Sequence, residues 1–152
     1  GLKLVVCGTN PGFKEKEIVK HMAPAVEAGA LIHLEKVPLQ DMPILYSHAK
    51  ALVSPSYSEG FGLPVVEAMS CGCPVIISDI EEYRWVAGDA ALYFDPYNVN
   101  EIRSRIQQLL FEKNSAALRK KLISQGLKKS KQYSIESIGK IWHKVLWEIK
   151  KR

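Results

Sequence analysis

Cysteine is scarce in this chain of 152 residues, with only Cys7, Cys71 and Cys73. An odd count excludes a closed disulfide framework. Cys71 and Cys73 stand one residue apart, and no other Cys/His pair completes a zinc set, so no metal is expected. The three read as small, semi-apolar core residues of a reducing compartment. Long apolar runs are also missing. Nothing approaches the roughly 18 residues of a membrane span. Residues 1–8 form an apolar run that stops at Gly8 without a small-residue cleavage site, which argues against a signal peptide. That start reads as a strand cut from a longer protein. The two commonest phosphate signatures are absent as well. Gly8 and Gly12 do not have the spacing of G-x-G-x-x-G, and there is no Walker A sequence. Repeats, low-complexity tracts and linkers are lacking too.

What remains is ordinary globular composition, 47% apolar and 24% charged, at a length that fits one domain over residues 1–152. Charge is divided unevenly. Residues 1–112 hold 9 Lys/Arg against 14 Asp/Glu, whereas residues 113–152 hold 12 against 2. The reading is therefore an α/β core over 1–112 followed by basic helices over 113–152. Residues 2–7, 30–34, 51–54, 75–78 and 91–94 are near-continuous in Val, Ile, Leu and Ala, as strands buried on both faces are. Residues 14–28, 43–48 and 63–70 between them have helical spacing. Alternating elements predict a Rossmann-like, three-layer α/β/α domain with a parallel sheet of about five strands. Beyond Pro96, helical periods recur over 99–111, 118–130 and from Ser134, a candidate N-cap. Trp142, Trp147 and Tyr133 sit at helical spacing and are expected to pack on the core. His21, His33, His48 and His143 have no telling partner and are read as surface or boundary residues.

The chemistry lies in residues 54–75, Ser54-Pro55-Ser56-Tyr57-Ser58-Glu59-Gly60-Phe61-Gly62-Leu63-Pro64-Val65-Val66-Glu67-Ala68-Met69-Ser70-Cys71-Gly72-Cys73-Pro74-Val75. A strand end leads through a Gly-x-Gly turn into a helix opened by Pro64 and stopped at Gly72. This order puts free N–H groups and the positive end of a helix dipole at the carboxyl edge of the sheet, where a phosphate binds. Gly60 and Gly62 let the backbone approach a ligand closely. Glu59 is a poor phosphate ligand but a good acceptor for sugar hydroxyls. Glu67, one turn into the helix, is too deep to cap it but reaches a ribose hydroxyl pair. On their own, the two carboxylates could equally be solvated groups flanking a turn, and the glycines an ordinary tight turn.

The segment closely resembles the donor-site motif of family 4 of the retaining glycosyltransferases, which have the GT-B fold. The resemblance extends over nearly the whole chain. Residues 5–8 are similar to that family's "VGxG" turn, and Leu45-Tyr46-Ser47-His48-Ala49 to its "LYxxA" helix. Gly88-Asp89-Ala90-Ala91-Leu92-Tyr93-Phe94-Asp95-Pro96 is similar to its "GdAAlyfdP" stretch. The resemblance implies transfer of a sugar from a nucleoside diphosphate, with retention and without a metal or other cofactor. Glu59 would be the catalytic candidate, at the donor-sugar hydroxyls. Gly60, Phe61, Gly62 and Leu63 would meet sugar and diphosphate oxygens through their backbone. Glu67 would hold the ribose, and Val37 and Pro38 would lie beside the base. The acceptor, a glycan or lipid-linked molecule, would be bound by a second half, and an Arg and a Lys on the diphosphate would come from upstream of residue 2. This chain alone is therefore expected to be inactive. The family's setting implies a cytoplasmic protein, with peripheral contact at the inner face of the membrane open.

Two positions depart from the family pattern. Glu35 stands where many relatives have glycine, beside the base-side turn. Arg84-Trp85 replaces a frequent Pro-Glu, expected as a local packing change near the surface. Other classes compete. A non-catalytic nucleotide- or nucleic-acid-binding domain would use the basic third, but that stretch lies far from the glycine turn and carries no recognition motif, so no nucleic-acid partner is expected. A related GT-B nucleotide-sugar epimerase is a further alternative, and a phosphorylase would need a cofactor lysine that has no place here. The basic face reads as solvated, with docking to another half or to anionic lipid as the other options.

Overall fold

A computed structural model describes residues 1–8 and 16–151. It divides into two compact units, Gly1–Met42 and Pro43–Arg152. In the first, β1 (Leu4–Cys7) pairs in parallel with β2 (Leu31–Leu34), in register Leu4 to Leu31, and α1 (Lys16–Glu27) connects them. A parallel pair requires such a crossover. Residues 9–15, most of the loop expected after the first strand, lie outside the described residues.

In the second unit, α2 (Met42–His48) leads to β3 (Leu52–Ser54), α3 (Leu63–Ser70), β4 (Val75–Ser78), α4 (Glu81–Ala87) and β5 (Ala91–Phe94). The sheet order is β3-β4-β5, all parallel. Helices α5 (Val99–Leu110), α6 (Ser115–Ser130) and α7 (Ile135–Lys150) follow. The five expected strands are all present, in two ladders among the described residues, and the fold is Rossmann-like.

Central β4 shows why an uninterrupted apolar run reads as a strand. Val75, Ile76 and Ile77 have no exposed surface, nor has Ser78. Successive strand side chains face opposite ways, so both faces are covered. Each such apolar side chain contributes about 1.5–3 kcal/mol. On one face Ile76 and Phe94 meet Leu109 of α5 and Leu122 of α6, with Ile102, Ile106 and Leu118 packed around them. Helix α6 comes close to α3 because residue 126 is glycine. A Cβ there would stand 3.2 Å from Cγ of Met69. The unit is therefore closed by α5 and α6, the first two helices expected after Pro96.

Three expectations need correction. First, β1 is not covered on both faces. Leu4 and Val5 are exposed, and so is Cys7. Of the three thiols only Cys73 is buried, Cys71 being half-buried; loss of hydration pushes the Cys73 thiol up to about 11. An apolar pattern reports a surface that water disfavours, not which element covers it. Second, Trp142 and Trp147 do not pack on the core. No residue of α7 is buried, and Trp142 is 61% exposed. Third, α4 has no counterpart in the sequence reading. Ile80 at its N-cap makes no side-chain cap that would signal its start. The histidines are as expected; His33 Nε2 lies 3.0 Å from the Gly8 carbonyl, and His21, His48 and His143 are exposed. No helix among the described residues is long and apolar enough to cross a membrane.

Candidate donor site

The glycine turn connects β3 to α3. Gly62 is the N-cap of α3, with φ 97° and ψ 44°, a left-handed conformation that side chains resist. The helix starts at Leu63, one residue before Pro64. Its first internal bonds are from the Val65 and Val66 amides to the Gly62 carbonyl, at 3.0 and 3.3 Å. The amides ahead of them have no acceptor within the helix, as at any helix start. At the other end Gly72 takes a φ of 71°, the left-handed stop expected there.

Glu59 is half-buried and held in place. Its Oε1 accepts from Ser56 Oγ at 2.7 Å and from the Tyr83 hydroxyl at 3.1 Å. The Tyr83 hydroxyl also lies 2.6 Å from Ser54 Oγ and 3.2 Å from Ser56 Oγ. Tyr83 is 1% exposed, and burial raises its phenol above the usual range. At neutral pH it is therefore a hydroxyl donor. Glu67, on the outer face of α3, is exposed, and its Oε2 accepts from the buried Tyr46 hydroxyl of α2 at 3.0 Å. Each carboxylate is thus oriented by a buried tyrosine from a different helix.

The other expected residues fall in three places. Gly60 and Leu63 are exposed on the turn and first helical turn. Phe61 is half-buried and makes edge contacts with Trp85 at 5.9 Å and Tyr133 at 5.5 Å. A groove of about 420 Å³ beside it is lined by Gly60, Phe61, Glu81, Glu82 and Trp85. Val37 and Pro38 belong to the first unit, after β2, where the Pro38 carbonyl accepts from Asp41 N at 2.9 Å. Glu35 is exposed in the same stretch.

Both departures at 84 and 85 have clear surroundings. Arg84 donates to both carboxylate oxygens of Asp79, at 2.6 and 2.7 Å, and lies 3.9 Å over the Tyr93 ring. The Arg84 hydrogen bond holds the Asp79 carboxyl below its usual range. Trp85 is, as expected, a packing change near the surface: it is exposed and makes an edge contact with Phe61 of the glycine turn. Sequence reasoning missed Tyr83 and Ser56, and quoted Tyr46 without giving it a role. Tyr83 reaches Glu59 across 24 residues on an unrecognised helix, so no local spacing signals it. Ser56, three residues before Glu59, was the one signal available.

The family description "Glycosyl transferases group 1" matches residues 1–129. O-antigen chain mannosyltransferase B of Escherichia coli is 37% identical over 126 residues, 83% of this chain and 32% of the relative. O-antigen chain mannosyltransferase RfbU of Salmonella typhimurium is 43% identical over 76 residues, 50% of this chain and 22% of the relative. This chain thus spans about a third or less of the length of these relatives. Among solved structures, sucrose-phosphate synthase from Thermosynechococcus elongatus superposes with a TM-score of 0.84 at 23% identity, over 98% of this chain and 39% of that one. That likeness is one of fold.

Proposed function

Since the chain belongs to the glycosyl transferases group 1 family, we propose that it forms the donor side of a retaining, family 4 type glycosyltransferase. The sugar transferred is a hexose carried on a nucleoside diphosphate. Mannose is the first choice, because both O-antigen relatives are named mannosyltransferases. The acceptor is a glycan or lipid-linked glycan bound by residues outside 1–152.

The observation that carries this reading is the pair of oriented carboxylates bracketing the start of α3. Glu59 precedes the turn with Oε1 already satisfied, and Glu67 lies on the helix against Tyr46. Between them the Gly60–Leu63 amides and the α3 dipole face the position of a diphosphate. As the bond from sugar to diphosphate breaks, negative charge grows on the leaving oxygens. Preorganised N–H donors and the helix dipole stabilise that charge without reorganisation. Glu59 accepts from sugar hydroxyls beside the breaking bond, and Glu67 from the ribose. In this reading the diphosphate is neutralised by dipole and protein cations, with no role for a metal.

The test is saturation-transfer NMR with GDP-mannose, UDP-glucose and ADP-glucose against the chain. Transfer to one of them, competed by its parent diphosphate, is the expected result. Absence of transfer from all three and their diphosphates would contradict the reading. The isolated chain is expected to bind donor without turning it over.

A further inference from the structure

Resting on the donor-site reading, we propose that Tyr83 is a positioning residue that fixes the Glu59 carboxylate and the Gly62 backbone together, and so sets the preference for nucleotide sugar over plain nucleoside diphosphate.

Two separate features of one buried side chain carry this. The first is its hydroxyl. Tyr83 has one proton and three oxygen neighbours, Ser54 Oγ, Ser56 Oγ and Glu59 Oε1. Ser56 Oγ donates to Glu59 Oε1 at 2.7 Å. The arrangement that satisfies the buried oxygens has Ser54 donating to the phenol oxygen and the phenol donating to Glu59. Glu59 Oε1 then receives two hydrogen bonds, which orient the carboxylate and leave Oε2 without a protein donor among the described residues. That oxygen is the acceptor for a sugar hydroxyl. A carboxylate held by one donor could turn about its last bond; two donors on one oxygen restrict it.

The second feature is the ring. Its Cε1 stands 2.8 Å from where a Cβ on Gly62 would lie. The ring therefore packs directly under the turn whose amides face the diphosphate. Phenylalanine at 83 keeps this support and removes only the hydroxyl. Hydroxyl and ring can thus be separated, and their effects belong to different parts of the donor, the sugar and the diphosphate respectively.

The experiment measures affinity by calorimetry for the donor identified by NMR and for its parent diphosphate, in the chain, Tyr83→Phe, Glu59→Ala and the double variant. Tyr83→Phe is expected to weaken nucleotide-sugar binding about five- to tenfold, in line with one net hydrogen bond, and to change diphosphate binding less than about twofold. In the Glu59→Ala background, Tyr83→Phe is expected to have no further effect on the sugar increment, because its effect runs through that carboxylate. Equal losses for both ligands, or full additivity with Glu59→Ala, would overturn the positioning role while the donor site stands. If the unaltered chain binds neither ligand, the donor-site reading fails and this inference with it. Tyr83→Leu is the contrasting variant, and a thermal melt of each variant is the folding control. Tyr83→Leu also removes the ring and is expected to weaken diphosphate binding, which Tyr83→Phe leaves in place.

Discussion

Glu59 and Glu67 are both carboxylates within one motif, yet their surroundings differ. Glu59 is half-buried with one oxygen saturated by Ser56 and Tyr83, whereas Glu67 is exposed and accepts from Tyr46. Glu67→Ala is expected to weaken nucleoside diphosphate and nucleotide sugar alike. Glu59→Ala is expected to remove mainly the affinity the sugar adds. Each lost charge-assisted hydrogen bond corresponds to about 1.5–3 kcal/mol, and titration calorimetry with both ligands reads the difference. An equal effect of both changes on both ligands runs against the assignment. Gly62 answers to stability as well as binding. Alanine there must adopt a left-handed φ and place a Cβ against the buried Tyr83 ring. The cost is expected at about 1–3 kcal/mol, or a melting temperature about 3–10 °C lower at this chain length. A thermal melt of Gly62→Ala that matches the parent chain means the turn is not held as described.

Among the elements, the contrast lies between helices that close the second unit and one that does not. Helix α5 is capped by Asn98, whose Oδ1 accepts from the Asn100 and Glu101 amides at 3.1 and 3.3 Å. It brings Leu109 into the core beside Ile76 and Phe94. Helix α7 has an equivalent cap, Ser134 Oγ accepting from Ser137 N at 3.1 Å, but buries none of its residues. Each cap contributes roughly 1 kcal/mol to its own helix. Only the first is coupled to the core, so Asn98→Ala is expected to lower the melting temperature by about 2–4 °C. Ser134→Ala is expected to reduce helicity by circular dichroism while the melt moves less than about 1 °C. The caps and periods of α5 and α7 are legible because their signals lie within a few residues. Helix α4 was not legible, for it is held by contacts such as the Tyr83 hydroxyl with Ser54 and the Tyr93 hydroxyl with the Tyr83 carbonyl. Those contacts span sheet and helix, and no local pattern encodes them.

For the molecule as a whole, charge and pH provide the tests. The basic stretch 113–152 would make nucleic-acid binding steeply salt-dependent. Six to ten phosphate contacts would lose about 10³–10⁵ in affinity between 50 and 200 mM salt. Nucleotide-sugar binding is expected to change by less than about threefold over the same range. A collapse of donor binding over that range would favour the basic face as the binding surface. Stability against acid has one identified contributor, the Asp79–Arg84 pair. Its folded carboxyl lies below the ordinary value of 3.8, so its contribution is present above that value and disappears as pH falls through the folded one. The pair is about half exposed, at 55% and 45%, so solvent screening keeps the effect small. Arg84→Met is expected to flatten the fall of melting temperature between about pH 5 and 3. An unchanged acid limb would mean the pair contributes nothing.

The amino-acid sequence by itself determined the parallel α/β class, the closing helices and the glycine turn with its two glutamates. Each rests on information held within a few residues: apolar runs, helical periods, and a turn followed by a helix start. Only the tertiary structure decided what surrounds those glutamates. Tyr83 comes to Glu59 from 24 positions away, Tyr46 to Glu67 from 21, and Trp85 to Phe61 on the same unrecognised helix. Such pairings follow from how β3, β4 and the helices pack, and a buried tyrosine hydroxyl takes whatever acceptor the packing brings near. The exposure of β1 and of the apolar face of α7 is tertiary in the same way, because hydrophobic pattern shows which side chains water disfavours and packing alone shows which of them are covered.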